Sequence, residues 1–381
     1  MKIKTLLSIA AMFAATMMFT SCDDDNDDVD SSAEKEEFFA NINKELVNKT
    51  IIPIYTNLKD SNADLLEAIN NINDSEATQE DVDNACEAWK AARKYWEQSE
   101  SFLYGPATDF GIDPHTDTWP FDRTAFDNYI KRYPDLADDE DAQAIVAEAI
   151  ATGQSLTGFH AVEYLLFRNG SPRNIEDITE NELWFCTKAA EDLYLASVKL
   201  VSAWGGEITE DEEALLEEAE FESRNYGENM INAGNAGSTY TSVTLGTIQI
   251  LEGCQDIIDE VAHSKIGHPY TGEDKNYIES PHAYNSIQDF YDNVLSCAFA
   301  LNGGADKISN YTANSVIAYA SAHYPEEANN VKQALEDALD AIDNMKRPFV
   351  TYYQDQSAGK AIEALEALDD AIDKLKEKLE D

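Results

Sequence analysis

Basic residues are scarce in this chain: 27 Lys and Arg stand against 74 Asp and Glu, for a formal net charge of −47. Such a surface repels nucleic acid and anionic membrane, so DNA, RNA and peripheral membrane roles drop out. Cysteine is scarce as well, five in 381 residues, and no C-x-x-C occurs. Cys86, Cys186, Cys254 and Cys297 each fall in an apolar helical pattern. They read as buried thiols, because free cysteine behaves as a small core hydrophobe. After residue 21 no stretch has 18 uncharged apolar residues, so nothing later in the sequence reads as a membrane span. The common catalytic signatures are missing too. There is no H-E-x-x-H and no G-x-S-x-G. The spacings Gly153 to Gly158 and Gly267 to Gly272 fail as phosphate loops, since Phe159 and Glu273 stand where the lysine belongs. Di-iron bundles use two E-x-x-H motifs. The pair His160 and Glu163 stands in the reverse order.

What is present begins with an export signal. Lys2 and Lys4 precede an apolar run from Leu6 to Phe19, then Thr20-Ser21 and Cys22. Residues 1–21 read as a lipoprotein signal peptide and Cys22 as the acylated first residue of a bacterial lipoprotein. Phe19 replaces the usual leucine of the lipobox. The run Asp23-Asp24-Asp25-Asn26-Asp27-Asp28 opens an acidic tether over 22–33. Its position resembles the acidic signal that sends lipoproteins of some Gram-negative anaerobes to the cell surface. The expected location is the outer membrane, on its outer face, with the periplasmic face as the alternative.

The remainder is helical in pattern. Thr78 with Asp81, Thr179 with Glu182 and Thr209 with Glu212 are capping-box pairs. Ser286 with Asp289 reads as another cap, ahead of Ile287, Phe290, Tyr291 and Val294. Apolar residues recur at helical spacing, as in Val82, Ala85, Cys86, Trp89 and Trp96. No alternating β-branched run competes. The expected fold is all-α, two packed antiparallel helical bundles divided near Gly205-Gly206: an N-terminal bundle over 34–204 and a C-terminal bundle over 205–381. Two irregular stretches interrupt the helices, Gly105 to Asp122 and Ile266 to Asn285. Long loops rich in Pro, Gly, Asp, His and aromatics are often functional.

The segment Gly158-Phe159-His160-Ala161-Val162-Glu163 carries a histidine and a carboxylate three apart, on one helix face, inside an apolar run. Burying them requires a partner or a metal. A His–Glu hydrogen bond is the commoner outcome; a metal site would need further ligands. Gly158 also has a plain explanation, as space for a neighbouring helix.

The same residues resemble the G-x-H-x-x-E motif of imelysin-like proteins. The resemblance extends to Trp96, Glu100, Gly105-Pro106 and the turn Trp119-Pro120-Phe121-Asp122. In the second half it reaches Asp259-Glu260-Val261-Ala262, Lys265-Ile266-Gly267, Glu279-Ser280-Pro281 and Asn285-Ser286. It implies a secreted or lipid-anchored protein of two helical bundles, with a site where they meet and a role in bacterial iron uptake. Some members are described as metallopeptidases that cleave insulin. A zinc hydrolase needs three protein ligands, an open position and a base, which these residues do not supply. Binding is therefore the first reading, with a metal-dependent peptidase and a non-catalytic structural or interaction lipoprotein as alternatives.

Carried over, His160, Glu163 and Glu100 would hold a metal, iron first and zinc or copper as alternatives. Gly158, Trp119, Asp122, Glu279 and Ser280 would line the ligand site. Glu100 also reads as a helix-end charge, Asp122 as a helix cap, and Glu279-Ser280 as a turn before Pro281. Ser286 reads as an N-cap rather than a site residue. His115 and His282 could add ligands, whereas His263, His268 and His323 read as surface residues. The implied partners are a metal ion or an iron-containing ligand, and other iron-uptake proteins.

Overall fold

The computed structural model describes residues 27–153 and 156–380. The expected signal peptide, Cys22 and the first part of the expected acidic tether lie outside the described residues. Within them the chain is helical almost throughout, and the strands form only a small antiparallel hairpin pairing Phe167 with Pro172 and Arg168 with Ser171.

Helices Ile52–Ile72, Gln79–Glu97 and Glu180–Trp204 pack along one another, and the short helix Gly158–Leu166 is wedged between the last two. Their shared interior holds Leu58, Leu65, Val82, Trp89, Phe159, Leu193 and Leu200. The second group is Val243–Asp259, Ser286–Asn302, Pro325–Asp343 and Gln356–Glu380, each packed on its neighbours. The capping boxes at Thr78, Thr179 and Thr209 all form, and helix Glu180–Trp204 stops at Gly205 in a left-handed conformation. The four described cysteines are free and buried.

Two features depart from the sequence expectations. The first helix starts at Asp27, inside the stretch expected to be tether. That helix, Asp27–Glu45, then packs against Val243–Asp259 rather than staying with the first group. Phe39 meets Tyr319 edge-on at 4.9 Å, and Thr247 donates to Asn43 at 3.0 Å. One apolar core therefore runs through both groups of helices. The ends of Gln79–Glu97 and Ser286–Asn302 abut, and charged side chains gather there.

Candidate metal centre

Helix Gln79–Glu97 turns Val82, Cys86 and Trp89 inward, and the next residues on the same stripe are Arg93, Trp96 and Glu97. Arg93 is therefore delivered, fully buried, to the junction of the two halves. Its guanidinium meets Asp117 at 2.5 Å and Glu279 at 2.6 Å, pairs with Glu97, and has Asp289 at 3.9 Å. Lys265, aimed by the π-helical segment Glu260–Gly267, reaches Glu279 at 3.2 Å and Glu97 at 3.7 Å. The Trp96 indole donates to the other oxygen of Asp117 at 3.0 Å.

His160 enters from helix Gly158–Leu166. Trp89 fixes that helix start by donating to the Phe159 carbonyl at 3.0 Å. Gly158 has φ +82°, and a Cβ there would lie 2.3 Å from the Thr116 carbonyl oxygen. The close neighbour is the backbone that carries Asp117, so glycine lets the His160 helix approach the Asp117 loop. His160 Nδ1 lies 3.4 Å from Glu163 Oε2. The other Glu163 oxygen accepts the backbone N–H groups of His282 and Ala283 at 2.7 and 2.8 Å. With both oxygens engaged, Glu163 orients the imidazole rather than serving as an open ligand or base. His160 Nε2 is left 3.2 Å from Asp117 and 4.0 Å from Glu279, buried and without a well-formed hydrogen bond. A carboxylate behind a histidine whose far nitrogen is free is the usual support for a metal-binding imidazole.

Ligand atoms of Asp117, His160 and Glu279 lie within 4.8 Å of one another, and those of Glu97, Glu100 and Asp117 do likewise. Glu100 stands on the short helix Glu100–Phe102 with no ion pair or hydrogen bond from its carboxylate, although it is only 8% exposed. It lines a chamber of about 310 Å³ together with Asp113, Asp117, Glu260, Lys265 and Glu279.

The charges do not cancel. Glu97, Glu100, Glu163, Glu279 and Asp289 are buried and the Asp117 side chain is only 7% exposed, against Arg93 and Lys265 as permanent cations. Burial pushes the Glu97 and Glu100 carboxyls well up, despite Arg93 and Lys265 nearby. Burial also brings Asp289 and Asp113 to about 7. Asp117 goes the other way: burial works against its charge, but Arg93 and His160 outweigh it and hold the carboxylate well below its usual range. Glu163 is likewise held down, by His160 against burial. His160 is pushed up to about 10, because Asp117 and Glu163 outweigh the burial that disfavours its charged form. The cluster takes up protons where a cation would otherwise balance it.

Of the residues singled out from sequence, His160, Glu163, Glu279, Ser280 and Glu100 come together here, all buried. Glu163 sits behind His160, away from Glu100. Trp119 lines this chamber and two neighbouring cavities, with its indole nitrogen buried and unpartnered. Asp122 does not join the cluster; it caps helix Arg123–Arg132 by accepting from Ala125 at 2.9 Å. Ser286 is not the expected N-cap. Its hydroxyl donates to the Glu279 carbonyl at 2.5 Å and so fixes the loop that presents Glu279. His115 pairs with Asp192 at 2.7 Å, and His282 lines the cavity in front of His160. His263 and His268 pair with acids outside the cluster, and His323 stacks on Tyr319. Arg93, Glu97, Asp117 and Asp289 are additions. Arg93 and Glu97 left one usable signal: charges on the apolar stripe of their helix.

The profile of the imelysin family matches residues 51–379. Iron-regulated protein A of Synechococcus elongatus is 25% identical over 305 residues, covering 80% of this chain and 75% of that protein. The crystal structure of an iron-regulated protein A precursor from Parabacteroides distasonis is 25% identical, with a TM-score of 0.78 over 90% of this chain and 95% of that one. An imelysin-like protein from Psychrobacter arcticum shares the fold at 14% identity, with a TM-score of 0.62 over 88% and 93% of the two chains. A family match that long, over helices that bring the motif residues to one buried centre, has one meaning: the chain belongs to the imelysin family.

Proposed function

We propose that this chain is a metal-binding lipoprotein of a bacterial iron-uptake system, anchored to the outer membrane through Cys22. Asp117, His160 and Glu279 hold the ion, and Glu97 and Glu100 offer a second set of oxygens beside them. One imidazole nitrogen with carboxylate oxygens suits iron, with zinc and copper as competitors. The observation that carries the reading is the buried His160 Nε2, which has no well-formed hydrogen bond, is backed by Glu163 and faces Asp117 at 3.2 Å and Glu279 at 4.0 Å in a cluster with excess negative charge. The iron-regulated name of the Synechococcus relative supports iron as the cargo. Binding displaces the proton from His160, as metal ligation by histidine requires.

Metal-stripped protein titrated with Fe(II), Fe(III), Zn(II) and Cu(II) should bind one of them. His160→Ala should remove that binding, and Glu163→Gln should weaken it by about 10–100-fold. Equal affinities in wild type and His160→Ala would exclude this centre. The Arg93 network favours a second reading, in which the cluster ties the two halves together and binds nothing. That reading expects both variants to melt earlier with no change in any metal titration.

A further inference from the structure

A cavity of about 450 Å³ opens in front of His160, and its chemistry is unlike the rest of the surface. In a chain with 74 acids and 27 bases, two cations face it, Arg123 and Lys275. Both are exposed, and neither forms an ion pair or side-chain hydrogen bond. With acids so abundant, two unpaired cations at one opening are not what surface averaging gives. The one carboxylate lining the cavity is Glu163, whose oxygens are already engaged by His160 and by two backbone N–H groups.

The walls add donors and carbon. Asn169 and Asn276 present amides, and His282 contributes a buried ring nitrogen with no partner. Trp119 and Tyr353 supply flat apolar surface. The backbone around the opening is also held in an uncommon state. Asn169 at φ 53°, Ser280 at φ 41° and Tyr284 at φ 59° are three of the four non-glycine residues with positive φ among those described. Each such residue costs on the order of 1–3 kcal/mol and persists where its surroundings force it, often around ligands. The Tyr284 ring covers Gly170, where a Cβ would come within 2.3 Å of it.

We propose that this cavity binds a small organic acid with at least two carboxylates, one for each of Arg123 and Lys275, its carbon skeleton lying against Trp119 and Tyr353. Two cations call for a polyanion, and the aromatic walls favour a carbon skeleton over a bare inorganic ion. Because the cavity ends on His160, such an acid is placed to bring its metal as a chelate to the centre. That last step rests on the metal reading above; the binding of the acid does not.

Citrate is the probe, titrated calorimetrically into metal-free protein at low salt, with inorganic phosphate as the bare-anion comparison. The expected result is citrate binding that weakens at least tenfold in the double variant Arg123→Ala/Lys275→Ala, with an unchanged melting temperature and weaker binding at high salt. If the double variant does not fold, Arg123→Ala alone should still weaken citrate binding several-fold. No citrate binding, equal affinity in the variants, or phosphate binding as tight as citrate would each overturn the proposal. The two readings fail separately. Metal binding without citrate binding sinks only the organic-acid site, and citrate binding without metal binding sinks only the metal centre.

Discussion

Helices Gln79–Glu97 and Gln356–Glu380 bury one face each, and what they bury differs. The second places Ala358, Ala361, Leu365, Leu368, Ala371, Ile372, Leu375 and Leu379 inside, with no charge among them. The first begins the same way, with Val82, Ala85, Cys86 and Trp89, and then buries Arg93 and Glu97 on the continuation of the stripe. This chain evidently builds apolar interiors where packing is all that is needed. Buried ion networks are seldom better for stability than alkyl side chains of the same volume. The charged end of Gln79–Glu97 is therefore a departure that stability alone does not account for, and it lies where the His160 helix and the second half of the chain converge.

The largest effect should come from breaking the charged end. Arg93→Met leaves Glu97, Asp117 and Glu279 without their shared partner and should cost about 3–5 kcal/mol at pH 7.5, read by urea unfolding. The loss should shrink toward pH 5. Carboxyls stranded in the fold have raised folded pKa values, so they stabilise below their unfolded pKa and lose that contribution as pH rises. A cost that is the same at both pH values would mean that Arg93 acts by packing alone. The matching change in the apolar helix, Leu365→Ala, should cost about 2–5 kcal/mol through the cavity it leaves. Its cost should not vary with pH, and metal affinity should be untouched. A drop in metal affinity in Leu365→Ala would show that the two regions are not separable in the way their interiors indicate.

Much of this was legible in the sequence, and the reasons are physical. Periodicity and capping boxes mark helices because they are local, and the boxes at Thr78, Thr179 and Thr209 formed as read. His160 and Glu163 announced themselves as polar residues in an apolar run. Asp117 did not, because it lies in a loop whose only cue was an excess of Pro, Asp and His. Asp289 was hidden by its resemblance to a cap residue: the pattern Ser-x-x-Asp fits a capping box, yet Ser286 donates to the Glu279 carbonyl and Asp289 faces Arg93. Asp122 failed in the opposite sense, being the cap its sequence position allowed. Which acids converge is set by tertiary packing of residues up to about two hundred positions apart, such as Gln98 with Asp292, and no local pattern encodes that.

The smallest effect concerns a buried carboxylate of the cluster without a partner. Glu100 is buried, makes no ion pair or hydrogen bond, and has its pKa raised by burial over the pull of Lys265. A group raised in the folded state stabilises below its unfolded pKa, about 4.3 for Glu, and loses that contribution as pH rises toward the folded value. Glu100→Gln removes this slope while keeping the shape. The variant and wild type should therefore match near pH 4.5, and the variant should be more stable at pH 8 by about 1 kcal/mol, the low end of the cost of an unsatisfied buried group. If Glu100 serves the metal, the same substitution should also weaken metal binding, so that the variant gains stability and loses affinity together. Parallel stability curves from pH 4.5 to 8 would show that Glu100 titrates alike in the folded and unfolded chain. A stability gain with unchanged affinity would confine the ligand set to Asp117, His160 and Glu279, and leave the charge of Glu100 as a cost with no metal-binding return.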